Sequence, residues 1–431
     1  MVSPIPSQSY YEVSAGPPAI RRPLTGRADA AVCVIGGGFA GLNAALGLIE
    51  RGQRDVVVLE AERVGFGASG RNGGFVFGGF SLDVADLVKQ IGATSARRLY
   101  ELTCDAVALI RRRVDTHHID CDRVDGGAVL ADWFGDDTAL RRIQRNMRDH
   151  VGVDWEWMSR DAVRQQLRTE RYHAGLFERD AFHFHPLKYA RGLARLIDAG
   201  GGTIHEASPA IAVTPDGAGW CVTTQHGSVH AAQVLVAAGG YLQGLVPSLH
   251  RAILPIATYV MVTEPLGERL AQAVDSPAAI YDTRFAFDYY RGLADTRLLW
   301  GGRISILQRD PQAIANLLRQ DLARVYPALA GVRIDHAWGG LMSYSRHKMP
   351  QLGQLQPGLW HAQAFGGHGV APTTLAGEVL AEAMSGGVPV PPPWRRFGLD
   401  RTLRPLGLVA AQATYTVLQW RDRWRDRLHD R

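Results

Sequence analysis

Gly36-Gly37-Gly38-Phe39-Ala40-Gly41 carries the spacing G-x-G-x-x-G. Each glycine has a physical task around a pyrophosphate: Gly36 permits a sharp turn, Gly38 lets the phosphate reach the backbone, and Gly41 lets a helix pack closely on a strand. The N–H groups at the start of that helix then face the anion. Glu60 follows at 24 residues beyond Gly36, where a carboxylate can accept both hydroxyl protons of an adenosine ribose. The constellation points to a dinucleotide site; the bland alternative is a glycine turn with no ligand.

These residues need a strand, a helix and a second strand to hold them. Ala31 to Ile35 reads as a buried parallel strand, Leu42, Ala45, Leu46 and Ile49 form one face of a helix, Gly52 stops it, and Val56 to Leu59 is the next strand. Residues 30–60 therefore form one β-α-β unit. Ala30 to Ile49 is also twenty residues without a charge, long enough for a hydropathy window to flag it as membrane-spanning. Five glycines and a change from β-branched to helical spacing split it into strand, turn and helix instead. Met1 to Arg27 has no apolar core of signal-peptide length, which predicts a cytoplasmic protein without a transmembrane segment.

Composition narrows the class. The chain has 431 residues, 46% hydrophobic and 21% charged, which is globular and large enough for two domains. Glycine reaches 48 residues, a surplus suited to tight turns and close backbone–ligand approach. Basic and acidic groups nearly balance at 47 to 42, with no long basic run in the body of the chain, so no nucleic-acid footprint is read. Cys33, Cys104, Cys121 and Cys221 show no paired-thiol spacing, which argues against a disulfide framework or zinc site.

The coarse organisation is α/β: a Rossmann-like first domain with an interleaved α+β second domain built on an antiparallel sheet. Residues 1–27 read as a leader, 28–81, 186–250 and 336–390 as the first domain, 82–185 and 251–335 as the second, and 391–431 as a linker and C-terminal amphipathic helix. Strands are expected at Gly127 to Ala131, Tyr259 to Glu264, Phe285 to Tyr290 and Arg297 to Arg303, and helices at Leu187 to Ala199 and around Ile314 to Val325. His183 and His185 alternate as on a strand, but no third ligand follows at sensible spacing, so they mark a chain crossing and no metal site is predicted.

A second glycine-rich loop, Gly65-Phe66-Gly67-Ala68-Ser69-Gly70-Arg71-Asn72-Gly73-Gly74, follows the β-α-β unit directly. A nicotinamide dehydrogenase has no need of backbone packed so tightly there, whereas a flavin does. With Ala237-Ala238-Gly239-Gly240 and the late turn Phe365-Gly366-Gly367-His368-Gly369, the chain resembles the D-amino-acid-oxidase-like superfamily of FAD enzymes over roughly Ala28 to Pro393. The likeness is to its glycine and sarcosine oxidase side, and most of all to the gamma-glutamylputrescine oxidase-like branch.

The resemblance implies a cofactor cradle of Gly36, Gly38, Phe39, Ala40, Gly41, Glu60, Ala61, Arg63, Ser69, Arg71, Asn72 and Gly73 on one side, and Gly366, Gly367, His368 and Gly369 on the other. A helix beginning at Thr373 would point its positive end at the flavin carbonyl where charge collects on reduction. Some relatives attach FAD through a cysteine before the late turn or a histidine in the early loop. Here Ser343, Tyr344 and Ser345 occupy the first region and Ser69-Gly70-Arg71 the second, so FAD is expected to be non-covalent. Sarcosine-type relatives carry a carboxylate-binding lysine after the late turn; here Val370, Ala371 and Pro372 follow. That shifts the expectation towards an amine whose carboxylate is remote or absent.

Tyr259, Phe287, Tyr289, Tyr290, Arg291 and Trp300, with Arg346, His347 and Lys348, are the candidates for the substrate side, core packing being the alternative for each aromatic. Tyr290, His368 and Arg346 are the candidate positioning groups at the reacting centre, and no general base is assigned. The expected reaction is oxidation of a C–N bond: hydride leaves to flavin N5, the imine is hydrolysed, and O2 takes the electrons to give hydrogen peroxide. No lysine lies near Leu298, Leu299 and Trp300, which leaves open a dehydrogenase serving a carrier, and a non-catalytic flavin-binding partner protein is a further alternative. The partners expected are a small-molecule amine and O2, with room for a homo-oligomer. In the tail, Leu418, Trp420, Trp424 and Leu428 with arginines from Arg421 onward suit an anionic membrane or a partner subunit, and packing on the protein body or a second copy is the preferred reading.

Overall fold

The computed structural model describes residues 8 to 429. Its first sheet has a five-stranded parallel core, in the order Thr203–His205, Val56–Leu59, Gly26–Ile35, Gly227–Val236 and Leu359–Gln363, with Gln351–Gln356 antiparallel at the edge. Register aligns the carboxyl ends: Ile35 stands opposite both Leu59 and Val236, and Leu59 opposite His205. The chain leaves the strand ending at Ile35 to one side for Val56–Leu59 and much later adds Gly227–Val236 on the other. A crevice therefore opens at this switch in strand order, beyond the carboxyl ends, where doubly wound sheets bind their ligands.

The uncharged run divides as expected, into the strand Gly26–Ile35 and the helix Phe39–Glu50, and among the described residues no helix is long and apolar enough to cross a membrane. The helix Phe39–Glu50 packs against Val370–Met384, and glycines set how closely: a Cβ on Gly377 would stand 2.6 Å from the Asn43 Cβ, and one on Gly47 would stand 2.9 Å from the Ala381 Cβ. The buried Arg113, from the helix Ala93–Thr116, pins both: it donates to Asn43 Oδ1 at 2.7 Å and pairs with Glu50 and Glu378 at 2.6 Å each. The helix after the late turn starts at Val370, three residues before the expected Thr373; Pro372 falls in its first turn, where a missing N–H costs nothing.

The second sheet runs Ile334–Tyr344, Leu254–Thr263, Leu298–Ser305, Tyr289–Gly292, Ala279–Asp282, Ala128–Ala131, Gly175–Glu178, Glu156–Met158. It is antiparallel as expected except that Ala279–Asp282 pairs parallel with Ala128–Ala131. One boundary is corrected. The segment expected to return to the first domain at 336 instead forms the edge of this second sheet through Tyr344, paired with Leu254–Thr263 along its length apart from a bulge at Asp335. One face of the sheet buries Tyr259, Tyr290 and Trp300 against the helix Pro311–Val325; the other faces the glycine loops.

The segment before Arg27 also departs from a plain leader. Ser9 and Glu12 form a capping box around the short helix Tyr10–Ser14, which buries Tyr11 against Val260, Val262, Leu299 and Trp338.

Candidate active site

The carboxyl-end register assembles the first half of the site. Gly36 has φ +116°, and a Cβ there would stand 2.6 Å from the Ala237 carbonyl oxygen; only glycine holds this position without strain. A Cβ on Gly41 would collide with the Gly36 carbonyl, so helix and turn approach as the motif requires. Phe39, Ala40 and Gly41 form the first turn of the helix, whose leading N–H groups lack intrahelical partners. One of them is occupied from within the protein: Phe39 N–H donates to Ser69 Oγ at 2.8 Å. Glu60 lies just past the second strand, accepting from Gly37 N–H at 2.6 Å and Glu62 N–H at 2.9 Å, and burial raises its pKa. Ala61 and Arg63 sit on the exposed rim beyond it, with Arg63 paired to Glu12 at 2.9 Å.

The second glycine loop is fixed from inside and outside. Asn72 ties it to itself, donating to Ala68 O and Ser69 O and accepting from Gly74 N–H at 2.8 Å. Arg71 donates to Phe66 O at 2.9 Å and approaches Glu12 at 3.6 Å. From the second sheet, Trp338 Nε1 donates to Arg71 O at 2.9 Å and Arg291 Nε to Gly73 O at 2.8 Å. Arg291 is therefore a clamp on the loop. Its other contacts are Phe184 O at 2.8 Å, the Tyr11 hydroxyl and His183 Nδ1 at 3.2 Å.

That last contact settles the histidine pair. His183 Nδ1 accepts from Arg291, so Nε2 carries the proton that goes to Pro277 O at 2.9 Å; His185 Nδ1 accepts from Lys188 N–H and so caps the helix Pro186–Ala199. Burial and the adjacent Arg291 push both pKa values down to about 3. His183 joins the crossing segment to the second sheet, and His185 joins it to the helix Tyr10–Ser14 through Ser14 Oγ at 3.1 Å and the Tyr11 ring at 4.6 Å.

The late turn supplies the other half. Gly366 has φ +63° and a Cβ there would collide with Ser81 Oγ; Gly367 is exposed, and a Cβ on Gly369 would meet open space. His368 donates its backbone N–H to Ser81 Oγ at 3.2 Å, and its ring stands edge-on to Phe77 at 4.4 Å, with burial lowering its pKa to about 4.

Between the two loops runs a continuous aromatic wall. From His368, ring contacts pass to Phe77, then to Tyr281 stacked at 5.7 Å, Phe287 at 6.1 Å and Tyr289 at 6.3 Å, with Phe75 5.6 Å from Tyr289. Tyr289 and Phe287 were among the candidates; Phe75, Phe77 and Tyr281 were not, although Phe75 and Phe77 directly follow the glycine loop in a spacing of two. Tyr290 is corrected: it points away from the wall, stacks on Trp300 at 4.3 Å and meets the Tyr326 hydroxyl at 3.1 Å. Tyr259 and Trp300 lie on that core face with it. Arg346 is exposed in the turn after Tyr344, with Lys348 exposed beside it and His347 bonded to Gly398 O at 3.1 Å, apart from the wall.

Glu178 is a further residue the sequence did not single out. It alternates onto the same sheet face as Tyr281 through the cross-strand neighbour Ala128. One oxygen takes the Gly78 N–H, the other is buried without a hydrogen-bond partner, and burial lifts the pKa to about 8.

A parallel sheet with a phosphate-type turn at its carboxyl edge, closed over by a second sheet, defines a dinucleotide-binding class of fold. The family described as FAD dependent oxidoreductase matches residues 31–383, and the chain belongs to it. It is similar to the gamma-glutamylputrescine oxidoreductase of Escherichia coli (strain K12), with 37% identity over 385 residues that cover 88% of this chain and 89% of that protein. Its fold matches L-amino acid deaminase from Proteus vulgaris, with TM-score 0.72, 18% identity and coverage of 89% and 100%, and glycine oxidase from Geobacillus kaustophilus, with TM-score 0.70, 19% identity and coverage of 86% and 99%. The loops fit the family's FAD: Gly36 and Gly366 lie in the left-handed backbone region, and the space off Gly369 is open.

Proposed function

We propose that this enzyme oxidises a C–N bond in a small amine, with Gly36 to Gly41, Glu60 and the Ser69 to Gly73 loop holding FAD at one end and Gly366 to Gly369 at the other, non-covalently. Ala61 and Arg63 border the adenosine end. When bound between these loops, FAD would supply the electron sink for the hydride at its N5, with O2 as the final acceptor yielding hydrogen peroxide. The observation that carries this reading is the unbroken aromatic wall from Gly73 to His368, which spans both loops. The chain's own residues exclude water and hold the amine: Tyr289, Tyr281, Phe77 and Phe287 offer ring faces to a cation until it loses its proton. His368, neutral above about pH 4, positions the nitrogen as a hydrogen-bonding partner. Tyr290 and Arg346 have no part in it.

Val370, Ala371 and Pro372 after the late turn supply no cation for an α-carboxylate, which supports an amine whose carboxylate is remote or absent. A gamma-glutamylated diamine, the substrate type named for the Escherichia coli relative, meets that description. A dehydrogenase passing electrons to a carrier is the second reading. It is favoured by the lysines: Lys89 and Lys188 pair at 2.8 and 2.7 Å with Asp86 and Asp122, and Lys348 sits in an exposed turn, so none reaches the wall.

The test is anaerobic addition of a panel of amines and amino acids. Bleaching of the flavin by an amine, with peroxide and recovery of colour on admitting air, is the expected result. Bleaching without recovery in air selects the dehydrogenase, and no bleaching by any compound removes the enzymatic assignment to amines.

A further inference from the structure

The C-terminal helix Leu406–His429 is docked with its polar side inward. Asp422 and Asp426 are 7% and 6% exposed. Asp422 accepts from the Phe285 N–H at 2.8 Å, and Asp426 accepts from Trp133 Nε1 at 3.0 Å and pairs with Arg171 and Arg324. Gln412 Oε1 takes the Ile306 N–H at 3.1 Å. A surface helix ordinarily buries its apolar stripe and shows water its charges; this one turns its acids inward beside the half-buried Tyr415, whose ring meets Phe285 at 5.8 Å, and leaves an apolar stripe in water. Leu406, Val409, Ala413, Val417, Trp420 and Trp424, spaced three and four apart, all face outward, with Trp420 and Trp424 67% and 63% exposed. The buried aspartates prevent the helix from rolling that stripe inward, since each would leave its partners unpaired. The side chain of Leu428 lies outside the described residues.

We propose that this outward face seats the enzyme on an anionic membrane surface. Charge decides the occupant. Between Leu406 and Trp424 the exposed charges are Arg421 and Arg423, while both acids of that stretch and its continuation to Asp426 are turned inward. A second copy laid antiparallel along the stripe would set these arginines against its carboxylate-free first half and remove them from water without a counter-charge. Anionic headgroups provide the counter-charge, tryptophan rings suit the headgroup level, and arginine stems reach up from an apolar bed. The helix lies on the surface; at 24 residues with buried aspartates it does not cross.

The experiment is vesicle flotation of the full chain as purified, with phosphatidylcholine alone or mixed with phosphatidylglycerol. The chain is expected to float with the mixed vesicles and to stay behind with phosphatidylcholine or in high salt. Arg421→Ser with Arg423→Ser lowers the low-salt partition about thirtyfold, roughly fivefold per arginine. Trp420→Ser with Trp424→Ser abolishes flotation while circular dichroism shows the fold retained. Failure to float with anionic vesicles overturns the proposal, as does undiminished flotation of the tryptophan variant. A chain that stays in the aqueous fraction as a dimer, and becomes a monomer in the tryptophan variant, assigns the face to a second copy instead.

Discussion

The ring of Tyr289 lies against the backbone of Gly73, so closely that a Cβ on the glycine would stand 2.7 Å from the tyrosine Cε2. The same ring covers Gly301 on the neighbouring strand, its cross-strand partner. One side chain from the second sheet thus sets the height of the loop that belongs to the first, and the two layers meet through a pair of missing Cβ atoms.

Gly73→Ala is expected to displace the Tyr289 ring, weaken FAD retention and destabilise the fold by about 1–3 kcal/mol, the usual range for overpacking. Tyr289→Ala in the same chain relieves that clash, so the two substitutions combine non-additively. The ratio of flavin to protein absorbance and the melting temperature of the four chains check this; strict additivity would refute the contact.

Neighbouring tyrosines give opposite outcomes. Tyr290→Phe removes the hydroxyl contact to Tyr326 and costs about 1 kcal/mol of stability, with kcat/KM unchanged for any amine the enzyme oxidises. Tyr289→Leu raises KM and also lowers the melting temperature, because the ring packs on Gly73 and Gly301. Steady-state kinetics beside thermal melts decides, and a kinetic defect confined to Tyr290→Phe would reverse the assignment of faces.

Stability should fall on both sides of neutrality. Glu178 binds its proton more tightly folded than unfolded, so between about pH 4.5 and 8 the native state holds the extra proton and stability declines as pH rises. Glu178→Gln flattens that slope. His183 and His185 are held neutral down to about pH 3; unfolded histidine protonates near pH 6.5, so stability also drops as pH falls from there. Urea titrations at several pH values measure both limbs.

His368, with a pKa near 4, is neutral throughout the working range. His368→Gln is expected to lower kcat/KM while leaving the pH of its alkaline and neutral limbs where they are. A limb near pH 6.5 that disappears in the variant would show that the imidazole titrates.

The first half of the site was legible because its signal is local: Gly36 to Gly41 and Glu60 directly follow adjoining strands whose ends are aligned by one β-α-β unit. The capping box Ser9 to Glu12 was equally local, and reading it would have turned the leader into a docked helix. The choice between Tyr289 and Tyr290 was not local. Phe285, Phe287, Tyr289 and Tyr290 offer aromatics in both phases of an alternating strand, and the phase is set by the distant pairing of Tyr289 with Gly301. The boundary at 336 failed for the same reason, since the strand Ile334–Tyr344 is assigned to its sheet by pairing with Leu254–Thr263. Glu178 carries no motif; its altered acidity comes from burial among residues that sequence distance does not foretell.

The turn at Gly36 and the turn at Gly366 are separated by 330 residues of chain. During synthesis the first is threaded out of the ribosome long before its counterpart exists. A nascent chain interrupted between them would carry half a clasp, and the coenzyme can lock the architecture only once the late turn has been translated.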